Sequence, residues 1–281
     1  MPYAALPALA FAVYFGDGEV SLPLMSQPSG IRQVKPLPDT EFERVLCVVA
    51  HPDDVEYGTS AAVARWVDQG AEVAYLLLTS GEAGMQRPPA EVGPLRAREQ
   101  RDACDTVGVS DLTILDHPDG MLVYGLDLRR DIARRIRQFR PDVVVTGAWD
   151  VEAPWGLNQA DHRAAGLATL DAIRDADNTW VFPELASEEG LEKWAVRWFL
   201  VGGSAQPTHG VDVGGEPLER AVRSLEAHRT YLADLPWHPA PADMIPQFTA
   251  MAGPALGVEH AVLFKAWDFQ APPPGLEPDQ G

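Results

Sequence analysis

Cysteine is scarce: the chain of 281 residues has two, Cys47 and Cys104, far apart and without a CxxC pair. A disulfide framework and a thiolate metal site are set aside, and two buried thiols in a reducing cytoplasm are expected. Basic residues are few as well, 22 Lys and Arg against 41 Asp and Glu, for a formal charge of −19. Nucleic acid and anionic membrane surfaces need basic patches, so both are disfavoured as partners. No apolar run reaches the ~20 residues that a membrane-spanning helix needs. The apolar stretch Pro2–Phe15 (PYAALPALAFAVYF) has no basic lead and contains Pro7. It reads as an extension packing on the body rather than as a secretory signal. A soluble, cytoplasmic protein without a membrane span is expected, and assembly into a homo-oligomer is left open.

What the chain has is core material, 46% hydrophobic residues, in short apolar runs separated by helical patterns. Strands are expected at Arg44–Ala50 (RVLCVVA), Ala71–Thr79, Leu112–Leu115 and Asp142–Gly147, with later ones at Trp194–Val201 and Val258–Trp267. Helices are expected at Gly58–Gln69, Leu95–Val107, Leu126–Phe139, Asp161–Ala176 and Pro217–Leu232. The arginine-rich outer face of Leu126–Phe139 reads as solvated. Short strands alternating with helices imply βαβ units. The expected fold is α/β, a Rossmann-like three-layer sandwich with a mostly parallel central sheet and helices on both faces. An N-terminal extension over residues 1–40, one catalytic domain over 41–270 and a disordered tail over 271–281 are expected. Gly81–Pro94, Ala148–Ala160 and Pro236–Gly257 read as loops walling a site.

The first strong strand ends in VVAHPDDVEYG, residues 48–58. In an open parallel sheet, ligands bind beyond the carboxyl ends of the strands, where His51-Pro52-Asp53-Asp54 falls. One aspartate there would cap the following helix. Two adjacent carboxylates beside an imidazole repel one another, which argues for a compensating cation. Imidazole and carboxylate suit zinc, which in catalytic sites takes three protein ligands. His162, after the fourth strand and beside Asp161, is a candidate third ligand; a lone histidine there also suits a cap or a core position.

Six segments together resemble one family: AHPDDVEYG (50–58), LLLTSGEAG (76–84), LRAREQRDACDTVGV (95–109), LDHPDGML (115–122), RPDVVVTG (140–147) and ADHRAAG (160–166). In order and spacing they resemble the PIG-L or LmbE-like de-N-acetylases over roughly residues 43–228. That family includes N-acetylglucosaminyl deacetylases of the mycothiol and bacillithiol type. The resemblance implies a zinc-dependent hydrolase removing an N-acetyl group from an N-acetylglucosaminyl substrate, a small-molecule amino sugar. It implies one Zn²⁺ on His51, Asp54 and His162, and Asp53 as general base to the metal-activated water. Other divalent transition metals suit the same donors. Asp161 is placed behind the ligands.

Substrate contacts are implied for Arg96 and Asp119, although a salt bridge with Glu99 and a Pro-Asp-Gly turn account for them equally well. Gln159 stands where relatives carry a histidine; it can donate a hydrogen bond but cannot transfer a proton at neutral pH. His228 resembles a position near the site, and His117 is close enough to Asp119 in sequence to approach it. His209, His238 and His260 read as structural. An amidase of a larger conjugate, a catalytically impaired binding homologue and a Mg²⁺-dependent phosphotransfer domain are the alternatives. The last would need neither His51 nor His162.

Overall fold

The computed structural model describes residues 32–271. Residues 1–31 and 272–281, which hold most of the expected extension and tail, lie outside the described residues. The first half runs β1 (Lys35–Pro36), β2 (Arg44–Val49), α1 (Asp54–Gly58), α2 (Ser60–Asp68), β3 (Glu72–Leu77), α3 (Pro89–Val107), β4 (Asp111–Ile114), α4 (Leu126–Phe139) and β5 (Val143–Gly147). A small hairpin follows, β6 (Glu152–Ala153) and β7 (Gly156–Leu157), then α5 (Ala160–Ala176) and α6 (Glu184–Ser187). The chain continues with β8 (Trp198–Gly202), β9 (His209–Asp212), α7 (Glu216–Glu226), α8 (Arg229–Ala233), α9 (Pro241–Leu256) and β10 (Ala261–Asp268).

Eight strands form one sheet in the order β1-β9-β10-β8-β5-β2-β3-β4. The run β8-β5-β2-β3-β4 is parallel throughout, and β10 lies antiparallel to both β8 and β9. Alternate residues of each central strand enter opposite cores, which is why these strands read as unbroken apolar runs. Val45, Cys47 and Val49 face α2, α3, α7 and α9, packing with Trp66, Leu225 and Ile245. Leu46, Val48 and Ala50 face α4 and α5, packing with Ile132, Ile136 and Ala168. Each such side chain taken fully out of water contributes roughly 1.5–3 kcal/mol. Helices on both faces complete the expected three-layer α/β sandwich. Among the described residues no helix is long and apolar enough to cross a membrane.

The strands and α4 lie close to where their patterns place them; other expectations are corrected. The first helix starts earlier, at Asp54, and breaks at Thr59. Pro217–Leu232 is two helices, α7 and α8, divided at Ala227–His228. Pro236–Gly257 is not a loop: α9 occupies most of it despite Pro246 and Pro254 inside the helix. Burial of Met244 and Ile245 against the core outweighs the lost backbone bonds, a tertiary effect that local propensity does not register. The arginines of α4 are not merely solvated. Arg129 pairs with Asp175, Arg130 with Glu184 and Arg134 with Glu189. Arg137 is buried and donates to the carbonyls of Asp175, Ala176, Asn178, Val181 and Phe182.

Candidate metal centre and active site

β2, β3, β4 and β5 run parallel, so their carboxyl ends open on one side of the sheet. The segments following them carry His51, Asp53 and Asp54, then Gly81, then Asp119, then Asn158 and His162. Asp53 precedes α1 in the left-handed region at φ 83. Aspartate enters that region more readily than most residues, yet a non-glycine there stores of order 1–3 kcal/mol. Capping does not explain the paired aspartates, since α1 has no side-chain cap. Asp54 Oδ2 instead accepts the His51 backbone N–H at 2.9 Å.

Hydrogen-bond partners fix which nitrogen of each histidine is turned toward Asp54. His51 Nε2 lies 3.0 Å from Asp119 Oδ1 and 3.3 Å from Asp161 Oδ2, so it carries the proton. Its Nδ1 is buried without a hydrogen-bond partner, 3.6 Å from Asp54 Oδ2. Asn158 Nδ2 donates to the carbonyls of Ala148 at 2.7 Å and Asp150 at 3.1 Å. Its Oδ1 must therefore accept from His162 Nδ1 at 3.1 Å. That leaves His162 Nε2 facing Asp54 Oδ1 at 3.1 Å, within hydrogen-bond distance. Two imidazole nitrogens and a carboxylate thus converge, with possible ligand atoms of His51, Asp54 and His162 within 4.8 Å of one another. Ligands about 2.1 Å from a tetrahedral ion lie about 3.4 Å apart, so these spacings fit one divalent metal. Carboxylates behind a ligating histidine, as Asp119 and Asp161 stand behind His51, fix its tautomer and raise its basicity.

The same charges set the titration of the cluster. Burial opposes a charged His51, but Asp54, Asp119 and Asp161 outweigh it and hold its pKa well above the ordinary value. Burial also opposes ionised Asp54, and the imidazoles of His162 and His51 overcome it, lowering its pKa. Asp53 goes the other way: burial pushes it up to about 6, against the attraction of Arg96 and His228. One oxygen of Asp53, Oδ2, accepts from Arg96 at 3.0 Å, while the other, Oδ1, is buried and unpartnered.

Several residues expected at the substrate are committed elsewhere. Arg96 is fully buried, donating to Asp53, Pro52 O at 2.7 Å and Gly81 O at 3.1 Å. Its guanidinium also lies over the Tyr231 ring at 4.0 Å. Its bonds here are all internal, and a Cβ at Gly81 or Gly84 would collide with it. Glu99 does not pair with Arg96 but accepts the backbone N–H groups of Thr230 and Tyr231 at the start of α8. Asp119 has one oxygen on His51, and its other accepts the Ala83 N–H at 2.8 Å. Asp161 accepts from Gly120 N and Leu122 N, tying the loop after β4 to the head of α5. His228 is fully buried, 3.7 Å from Glu56 Oε2, so a surface role is excluded and direct substrate contact disfavoured. His117 pairs with Asp131 on α4, away from the donors. Gln159 has a buried Oε1 without a partner.

Asn158 and Tyr57 escaped the sequence reading. Asn158 stands four residues before His162, one helical turn ahead, a spacing that could have flagged it. Tyr57 OH donates to His238 Nε2 at 2.7 Å, since His238 Nδ1 is engaged by Pro239 O; no sequence spacing marks that pair.

Residues 46–173 match the family model described as PIG-L: GlcNAc-PI de-N-acetylase. The matched stretch is a little under half of the chain. The diacetylchitobiose deacetylase of Thermococcus kodakarensis is 26% identical over 208 residues, 71% of this chain and 74% of that protein. The 1D-myo-inositol 2-acetamido-2-deoxy-alpha-D-glucopyranoside deacetylase of Kineococcus radiotolerans is 34% identical over 164 residues. That match covers 46% of this chain and 44% of the relative, under half its length. Among solved structures, N,N'-diacetylchitobiose deacetylase from Pyrococcus horikoshii, complexed with its inhibitor MPG, superposes with a TM-score of 0.73 at 21% identity. The superposition covers 82% of this chain and 86% of that one, and the likeness is one of fold.

Proposed function

We propose that this chain is a PIG-L family, metal-dependent hydrolase that removes the N-acetyl group from an N-acetylglucosaminyl-type substrate. The observation that carries it is the convergence of three possible ligands beside a buried carboxylate. His51 Nδ1 and His162 Nε2 both face Asp54, and Asp53 keeps one oxygen without a hydrogen-bond partner. The named activities of the curated relatives, both acetamido-sugar deacetylases, support the substrate class.

His51, Asp54 and His162 would hold one divalent metal, zinc being the ion their nitrogen and oxygen donors suit best. Such an ion supplies Lewis acidity, polarising the amide carbonyl and bringing a water's pKa near 7. Asp53 does the proton work. Arg96 holds its Oδ2, so the free Oδ1 takes the proton from the attacking water and returns it to the departing amine. A carboxyl pushed up to about 6 suits both halves of that exchange better than an ordinary aspartate. Gln159 offers its unpartnered Oε1 to a substrate N–H or hydroxyl, and proton transfer is left to Asp53. Acetate and the free amino sugar are the products. The free buried thiols of Cys47 and Cys104 suit a reducing, cytoplasmic setting.

The test is acetate release from a panel of N-acetylglucosaminides with different aglycones, using metal-analysed protein. Activity should disappear with a chelator and return with zinc, and His162→Ala should lose most of the metal. Turnover that survives complete metal removal, or no acetate from any panel member at full metal loading, would sink the reading.

A further inference from the structure

Asp53 sits in the left-handed region at φ 83, and its carboxylate can be aimed only if something holds the main chain there. Helix α3 supplies two holds, four residues apart and therefore on one face of the helix. Arg96 binds the Asp53 carboxylate at Oδ2. Gln100, one turn further on, accepts the Asp53 backbone N–H on its Oε1 at 2.9 Å. The orientation of the Gln100 amide is itself fixed. Its Nε2 donates to Glu56 Oε1 at 3.1 Å and faces Cys104 Sγ at 3.7 Å. Glu56 Oε1 is held in turn by the Ser224 hydroxyl of α7 at 3.3 Å, and that hydroxyl also reaches Ala103 O. Gln100, Glu56 and Ser224 are all buried, so water does not replace these bonds.

We infer that Gln100 is a positioning residue for the general base: it pins the Asp53 main chain so that the free Oδ1 stays aimed at the reacting centre. The inference rests on the deacetylase reading for the role of Asp53, and on geometry for the rest. Gln100 lies outside the carboxylate motif, on a different helix, and touches neither the metal-binding donors nor the space in front of them. Its amide is used up on both sides within the protein.

Three variants test it. Gln100→Met keeps the volume but removes acceptor and donor. It should leave metal content unchanged and KM within about threefold, while kcat falls ten- to a hundredfold. Gln100→Glu keeps an acceptor for the Asp53 N–H but sets two carboxylates against each other, and kcat should fall as well. Adding Glu56→Gln to Gln100→Glu reverses donor and acceptor, rebuilds the bond and should recover at least half of the lost kcat. A merely structural role predicts that kcat follows the melting temperature across these variants, whereas positioning predicts loss and recovery of kcat at temperatures where every variant is folded.

A second readout is independent of turnover: exchange of the Asp53 backbone amide, followed by NMR on the full chain. It should be at least tenfold faster in Gln100→Met than in the parent. Unchanged amide protection, unchanged kcat in Gln100→Met, or no recovery in the double variant would each overturn the inference. A parent enzyme that releases no acetate would overturn the deacetylase reading alone, and amide exchange would still decide the role of Gln100.

Discussion

Replacing Asn158 tests the geometry on which the metal site depends. Its side chain is 4% exposed and makes three bonds: Oδ1 accepts from His162 Nδ1 at 3.1 Å, and Nδ2 donates to Ala148 O and Asp150 O. Asn158→Ala lets the His162 ring rotate and removes the bond that turns its Nε2 toward Asp54. Losing such an orienting partner typically costs 10–100-fold in metal affinity, about 1.4–2.7 kcal/mol at the tenfold equivalent of 1.36 kcal/mol. It also leaves two buried carbonyls unpaired, at about 1–3 kcal/mol each, so the fold itself weakens.

Asn158→Asp separates the two effects. An aspartate still accepts the His162 Nδ1–H but donates to neither carbonyl. The Asp variant should lose stability while holding metal within about threefold of the parent, and the Ala variant should lose both. Zinc competition against a chromophoric chelator reads the affinity, and denaturant melts of metal-free protein read the stability. An Ala variant that binds zinc as tightly as the parent would refute the tautomer assignment. So would an Asp variant that falls as far as the Ala variant.

Three further outcomes are expected. Asp53→Asn should retain metal, by elemental analysis, and lose turnover by about 10²–10⁴-fold, the range of general acid–base catalysis; unchanged kcat would remove Asp53 as the base. The base works only when ionised, and burial pushes Asp53 up to about 6. The kcat/KM profile should therefore fall as pH drops through the Asp53 pKa and level off above it; a profile flat through the acid range would count against Asp53 as the titrating base. Arg137→Met, which strips a buried guanidinium from five carbonyls, should cost about 3–5 kcal/mol as for other broken buried charge networks. In a chain of this size that is roughly a 10 °C loss in Tm, with kcat at 25 °C unaffected; a Tm within 2 °C of the parent would count against it.

Much of the architecture is legible in order along the chain. The apolar runs of β2, β3 and β5, each bounded by turn residues, announce buried parallel strands, because both faces of the sheet are covered and every side chain must be apolar. Helix α4 is equally plain, since its core stripe recurs at the helical period. Helix α9 is not legible: its two internal prolines speak against a helix, and only the core beneath Met244 and Ile245 overrules them. The site divides the same way. His51, Asp54 and His162 stand out as ligand types placed after strand ends. Arg96 and Asp119 carry charges that look free in one dimension, and only folding shows which charges meet their partners inside.

The sequence by itself determined which chemical groups are available and on which side of the sheet they gather, since strand direction places every β-to-helix turn at one end. The tertiary structure alone decided how each group is spent. Asn158 turns His162 so that its Nε2 faces Asp54, and Asp119 with Asp161 holds His51 so that its Nδ1 does. Arg96 holds the carboxylate of Asp53 instead of reaching outward. The reason is physical: a buried charge or lone pair takes its role from the partners within about 3 Å, and those partners come from segments far apart in the chain.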